Sequence, residues 1–234
     1  LGCLDHARAD EVDLFAPKTQ EGEKQPADEP DDLELIPRDD RDADREKSKS
    51  APSPFGEPPG AKRLMPKVDA WIHPDRKLVI MDGEVCLREG LLEMFACTRG
   101  TKEHESIVTV PVRAYMIHAA LLAVGAEAGK PVSYDPEYKA ATGDEVDIVV
   151  LWIDKDGKRH VHRAQDWIRN QKTKKPMDYN WVFAGSDFWI DEDGKEHYQA
   201  EAGDFICVSN FPTAMLDLPV KSPQANQDLL FEAN

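Results

Sequence analysis

The sequence predicts an α+β fold, with a mostly antiparallel sheet built from hairpins and one central buried helix. Three observations carry this. Asp-Gly pairs at 82–83, 156–157 and 193–194 each sit between short runs rich in β-formers, the strongest short-range hairpin signal. Only Val112–Val124 repeats apolar residues at helical spacing over several turns. The aromatic residues are also unevenly placed, with only Phe15 and Phe55 of the eighteen preceding Lys67, so the core belongs to the later part of the chain.

Residues 1–66 hold nine of the seventeen prolines, and 17 acidic against 10 basic side chains. Ordering each residue costs about 1–2 kcal/mol of backbone entropy, which sparse apolar burial cannot offset. This stretch is therefore expected to be a disordered, acidic, Pro-rich tether, and residues 67–234 a single folded domain. Gly2-Cys3 followed by a polar tract resembles the cleavage site of a bacterial lipoprotein, in which Cys3 would carry the lipid. That reading places the domain outside the cytoplasm, with Cys3 as its link to a membrane. The net charge of −16 argues against nucleic acid as a partner, since nucleic acid is bound chiefly by neutralising phosphates. The basic run Lys172, Lys174 and Lys175, with Arg163 and Arg169 upstream, reads as a solvated loop.

Along the domain, Lys77–Met81 and Glu84–Leu87 are expected to pair across Asp82-Gly83, with Leu91–Cys97 as a third strand. Ser106–Val110 reads as a strand meeting Pro111, which suits a helix's first turn because its missing N–H has no partner there. The helix carries Val112, Tyr115, Met116, Ala119, Leu122 and Ala123 on one face and stops at Gly125. Glu145–Ile153 and His160–Arg163 form the second hairpin, followed by a short helix near Gln165–Arg169 and a strand at Trp181–Ala184. The third hairpin turns at Asp193-Gly194, and Phe205–Val208 is a buried strand. No repeat of fixed period is visible.

The candidate chemistry lies in the loop from Cys97 through Arg99, Gly100, Lys102, His104 and Glu105. Thiolate, imidazole and carboxylate are the groups that bind zinc or copper, and the glycine lets the chain double back. His118 on the helix could supply a further ligand. Three alternatives stand beside this reading. His104 and Glu105 could form a hydrogen-bonded pair that only fixes the loop, and His118 could be a satisfied core histidine. Cys97 could also be a nucleophile activated by His104, with Glu105 orienting the ring and Lys102 or Arg99 stabilising negative charge. His160 and His162 alternate on a strand and so share a face. Trp181, Phe183, Phe188 and Trp189, with Ser186 and Asp187, either line a ligand pocket or make up the core. The domain cysteines Cys86, Cys97 and Cys207 cannot all pair, and the spacing does not choose among them.

Leu92-Glu93-Met94-Phe95-Ala96-Cys97, Gly100-Thr101-Lys102-Glu103-His104-Glu105-Ser106, the helix ending near Gly125 and Trp181-Val182-Phe183-Ala184-Gly185-Ser186 together resemble the YdjY-type domain family. The resemblance spans roughly Lys77–Val208, and Lys102–Ser106 is its most specific piece. It implies an envelope or secreted bacterial domain, often labelled ferredoxin-like, and brings no established reaction. An iron–sulfur cluster is not expected, because the three domain cysteines lack the close, recurring spacing such clusters need. The expected function is a tethered binding or accessory domain whose partner is an envelope protein or a metal ion, with Cys97, His104, Glu105 and His118 as the site. The alternatives are an enzyme using the same loop through a metal or a thiol, and a purely structural envelope domain.

Overall fold

The computed structural model describes residues 55–224 and 229–234. Cys3 and most of the expected tether lie outside the described residues. Residues 55–66, assigned to the tether by composition, are part of the folded body. Strand β1 (Lys62–Arg63) pairs with β2 (Ala70–His73), which pairs in turn with β3 (Leu78–Met81). Arg63 is held there by Glu57 and by Asp69 at 2.8 Å, and its guanidinium lies 4.7 Å from the centre of the buried Trp71 ring.

The remaining strands run in order as β4 (Glu84–Val85), β5 (Met94–Thr98), β6 (Ser106–Val110), then helix α1 (Ala114–Ala123), β7 (Ala128–Lys130), β8 (Thr142–Gly143), β9 (Glu145–Val146), β10 (Val149–Ile153) and β11 (Arg159–Arg163). They continue as β12 (Ile168–Asn170), β13 (Trp181–Phe183), β14 (Phe188–Ile190), β15 (Glu196–Tyr198), β16 (Ile206–Cys207), β17 (Leu216–Asp217) and β18 (Phe231–Ala233). The central sheet has seven strands in the order β4-β6-β5-β16-β17-β13-β9. Two of its pairings, β5 with β6 and β16 with β17, are parallel. The sheet is therefore mixed, which corrects the expectation of a mostly antiparallel one, while the α+β class with one α-helix holds among the described residues.

The physical reason lies in the β5–β6 connection. Parallel neighbours usually need a crossover of a dozen or more residues, yet residues 99–105 return the chain from Thr98 to Ser106 in seven. Seven residues can span about 23 Å when extended, enough to travel back along a five-residue strand. Every residue of β5 is buried, as befits a strand covered on both faces.

The first expected hairpin does not form, because β3 pairs with β2 and β4 pairs with β6. Gly83 serves close approach instead, since a Cβ there would lie 2.8 Å from Val108 Cγ1. The second and third hairpins form as β10–β11 and β14–β15, with β9 split off from the long run to join the central sheet.

Helix α1 starts at Ala114, after Arg113 in extended conformation, so Pro111 precedes it rather than opening it. It buries Ala114, Met116, Ile117, Ala120 and Leu121 and leaves Leu122 exposed; it packs by one face on the flank and is not enclosed. The core gathers Trp181, Phe183, Phe205, Phe231, Leu92 and Ile168, all almost fully buried, each worth about 1.5–3 kcal/mol or more on leaving water. The Trp181 indole N–H donates to the Cys207 carbonyl at 2.7 Å. The end of the chain closes the body, with β18 pairing β12 and Glu232 accepting ion pairs from Arg169 and Lys174 at 2.9 and 3.0 Å. Among the described residues no helix is long and apolar enough to cross a membrane.

Candidate functional site

The returning loop between β5 and β6 is built tightly. Gly100 takes a left-handed φ of 81°, which a side chain would resist, and its N–H donates to Glu103. The Thr101 hydroxyl donates to the Thr98 carbonyl at 2.5 Å, and the Ser106 hydroxyl to the Lys102 carbonyl at 2.7 Å. The loop presses on Gly203, where a Cβ would come 2.7 Å from Thr101 Oγ1 and 2.8 Å from Lys102 Cγ. This contact carries the Lys102 side chain inward.

Lys102, not a thiol or an imidazole, is the centre of the loop. Its ammonium lies 2.9 Å from Asp204 Oδ1, 3.7 Å from Glu105 Oε1 and 3.8 Å from Glu93 Oε2. The Phe211 ring centre is 4.4 Å away, within cation–π range. Burial alone would lower the lysine's proton affinity, but the Asp204 hydrogen bond and the charges of Asp204, Glu105 and Glu93 outweigh it and hold Lys102 above its ordinary value. Glu93 is pushed up by burial first and then by the Glu105 charge. The Thr213 hydroxyl donates to the other Asp204 oxygen. Three carboxylates from three segments thus converge on one ammonium and pin a short crossover to the strands it must clear.

The expected ligands are not gathered with it. Cys97 is fully buried in β5, opposite Thr109. The His104 side chain is 76 % exposed and reaches only Glu105, at 3.8 Å. His118 shares a 2.9 Å hydrogen bond with the Tyr198 hydroxyl and meets the Phe183 and Tyr198 rings edge-on. Because Tyr198 gives its single hydroxyl proton to the Gly185 carbonyl, His118 Nδ1 must carry the proton for their shared bond. Burial lowers the His118 proton affinity, partly offset by Gly185, and the partly buried ring is held among aromatic neighbours rather than beside the other expected ligands. Among the described residues no three His, Cys, Asp or Glu side chains are arranged to hold a metal ion. Of the four expected residues only Glu105 joins the cluster.

Among the described residues the thiols of Cys86, Cys97 and Cys207 are free. Cys86 donates to the Ser106 carbonyl at 3.1 Å, and its thiol is pushed up to about 11 by burial, with Cys97 and Glu103 adding to the effect. Burial, reinforced by Asp204 and Asp217, pushes Cys207 well above the usual thiol range. A nucleophilic thiolate needs the opposite shift.

The family profile for the YdjY domain matches residues 70–234. The chain belongs to the YdjY domain family. The match includes the Lys102–Ser106 loop and extends past the expected limit at Val208 to the last residue, in keeping with β18 pairing with β12 as part of the folded body. No curated protein and no solved structure matches the chain.

Two features of this YdjY domain escaped the sequence reading. The first is Asp217, fully buried on β17, which accepts from Asn210 Nδ2 at 3.1 Å and from the Leu218 N–H at 2.7 Å. Burial pushes its carboxyl up to about 7, against the pull of Asn210 and the Leu218 and Phe211 N–H groups. Asn210 in turn accepts from the Tyr134 and Tyr138 hydroxyls, both at 3.3 Å. A carboxyl this far from Asn210's tyrosines in sequence leaves no local signal.

The second feature is a recurrence that is legible once two segments are laid side by side. Trp-Ile-Asp-x-Asp-Gly-Lys-x-His occurs at 152–160 and again at 189–197, and the two copies make the same bonds. Asp154 Oδ1 accepts from the Asp156 and Lys158 N–H groups, as Asp191 Oδ1 does from Asp193 and Lys195. His160 Nε2 lies 2.7 Å from Asp154, and His197 Nε2 lies 2.6 Å from Asp191. Each imidazole stacks on its tryptophan, with ring centres 4.9 and 4.6 Å apart. The copies differ in what lies beyond the stack. Trp152 is also flanked by Trp167 at 5.2 Å and by His162 at 5.1 Å, whereas Trp189 is 49 % exposed, beside Phe188 at 48 % and Ile190 at 69 %. The aromatic set expected to act together is therefore divided, Trp181 and Phe183 lying in the core and Phe188 and Trp189 at the surface.

Proposed function

We propose that this YdjY domain is a binding or accessory module, held outside the cytoplasm on its acidic N-terminal segment, and that it engages a partner protein through the β14–β15 hairpin. The observation that carries the reading is the run Phe188-Trp189-Ile190, three consecutive large apolar residues on one exposed strand. Single exposed apolar residues are ordinary, but here Phe188 and Ile190 share one face of the ribbon and Trp189 lies on the other, so both faces offer apolar surface of the kind an interface uses. The stack of Trp189 on His197, locked by Asp191, holds the ribbon in shape before binding, which lowers the ordering cost of association. What supports the compartment is the resemblance of Gly2-Cys3 and the polar tract after it to a lipoprotein cleavage site.

The Lys102 cluster does not favour an enzyme, because its one ammonium is held among the carboxylates of Glu93, Glu105 and Asp204. The residues expected to hold a metal ion do not converge, since His104 faces solvent and His118 is hydrogen-bonded to Tyr198. The test is a photoreactive residue at position 190 of the full chain, displayed in a bacterial envelope, with position 179 as an exposed control. Discrete adducts at 190 and none at 179 are expected. Equal labelling at both positions, or none at either, overturns the proposal.

A further inference from the structure

The duplicated hairpins carry opposite charge on one shared frame. Between Trp152 and His160 the chain holds Asp154 and Asp156 against Lys155, Lys158 and Arg159; between Trp189 and His197 it holds Asp191, Glu192, Asp193 and Glu196 against Lys195. Equivalent positions reverse sign, with Lys155 standing where the other copy has Glu192. Both hairpins also leave apolar residues in water on the corresponding face. On β10 these are Val149 and Ile153, at 37 % and 38 % exposure, and Val149 pairs across the strands with the exposed Arg163. On β14 they are Phe188 and Ile190, and Ile190 pairs with the exposed Glu196. Paired residues project from the same face of a ribbon, so one face is apolar with a cationic border and the other apolar with an anionic border.

We infer that the β14–β15 hairpin of one copy of this chain docks on the β10–β11 hairpin of a second copy, apolar face to apolar face, with Glu192 and Glu196 meeting Lys155 and Arg163. The inference rests on the reading of β14–β15 as the binding surface and names its occupant. Self-pairing of β14–β15 would set Glu192 and Glu196 against their own copies, and self-pairing of β10–β11 would do the same with Lys155 and Arg163; like charges juxtaposed at an interface cost several kcal/mol. The contact joins two different surfaces, so it is head-to-tail and extends beyond a dimer unless a ring closes. The overall charge of −16 opposes association at low salt, but at physiological ionic strength repulsion beyond about 8 Å is screened while the contact pairs persist.

The experiment is sedimentation of the full chain at physiological salt over a wide concentration range. The wild type is expected to grow past a dimer as concentration rises. Ile190→Ser and Val149→Ser are each expected to remain monomeric, an association constant lowered at least about tenfold, with near-ultraviolet circular dichroism like that of the wild type. Glu196→Lys is expected to do the same without touching the apolar residues. An equimolar mixture of Ile190→Ser and Val149→Ser should form a dimer that grows no further, because one variant keeps β10–β11 and the other keeps β14–β15. A wild type that stays monomeric, a Val149→Ser variant that associates normally, or a mixture that fails to dimerise would each overturn the inference. If the wild type is monomeric while position 190 still yields an adduct whose mass is not twice that of the chain, the binding module stands and self-association falls. If no adduct forms either, both fall.

Discussion

The β5–β6 loop and the β14–β15 hairpin are opposite uses of conspicuous residues. The loop concentrates ionisable groups, yet its Lys102 ammonium is shared among Asp204, Glu105 and Glu93, and its one imidazole, His104, faces solvent. The hairpin offers less chemistry but leaves Phe188, Trp189 and Ile190 open to solvent. An ammonium enclosed by carboxylates holds a fold together; an apolar surface that no described residue covers is where a partner gains free energy. The loop has a clear mechanical task, since a seven-residue parallel crossover must be clamped where longer ones can pack a helix of their own.

The contrast breaks most visibly at Lys102. Lys102→Met leaves three carboxylates without their cation, and urea unfolding at neutral pH should show a loss of about 3 kcal/mol, toward the lower end for a buried pair because the cluster is partly open to water. The deficit should shrink as pH falls, since Glu93 already binds its proton more readily than an ordinary glutamate. A Lys102→Met variant as stable as the wild type would mean that the cluster clamps nothing.

Asp217 sharpens the picture of a protein with costly buried charge. Its folded carboxyl titrates near 7, against about 3.9 in an unfolded chain. The folded state therefore binds the proton more tightly, so the stabilisation from this group is complete below about pH 4 and is lost as pH rises through 7. Asp217→Asn should remove that slope, gaining up to about 4 kcal/mol relative to the wild type between pH 4 and pH 8 in urea titrations. Parallel pH profiles for variant and wild type would contradict it.

How far such features can be read in advance depended on how local their causes are. The hairpins at Asp156-Gly157 and Asp193-Gly194 were legible because an Asp-Gly turn and its flanking strands lie within a dozen residues. Asp82-Gly83 misled, since its glycine answers to Val108 across the sheet, a neighbour the turn grammar does not see. The parallel β5–β6 pair was hidden by its short connection, although the unbroken burial of Met94–Thr98 is what a strand covered on both faces looks like in sequence. At the site, Lys102 and Glu105 were visible as loop residues, but Glu93 and Asp204 arrive from other segments and only the fold joins them to the loop. Cys97 and His118 stand out by residue type, but Cys97 is fully buried and His118 is taken up by Tyr198.

Smaller effects separate the two hairpins. His197→Ala removes a stack and an Asp191 partner, and should raise amide exchange in β14–β15 alone with no change in the urea midpoint; His160→Ala should disturb β10–β11 less, because Trp152 keeps Trp167 and His162 beside it. Smallest of all on stability is Ile190→Ser, within about 0.5 kcal/mol of the wild type as for other exposed positions, although it should abolish the adduct formed by a photoreactive group at position 188.

What decides the function is where the chain makes contact with its partner, and the most direct measurement is the yield of photoadducts from a reactive residue at position 190 compared with one at position 104, under the same envelope display. Both sites are exposed, one on the apolar ribbon and the other on the charged loop. Discrete adducts from 190 with background at 104 are the predicted result; discrete adducts from 104 with background at 190 would contradict it and return the function to the loop.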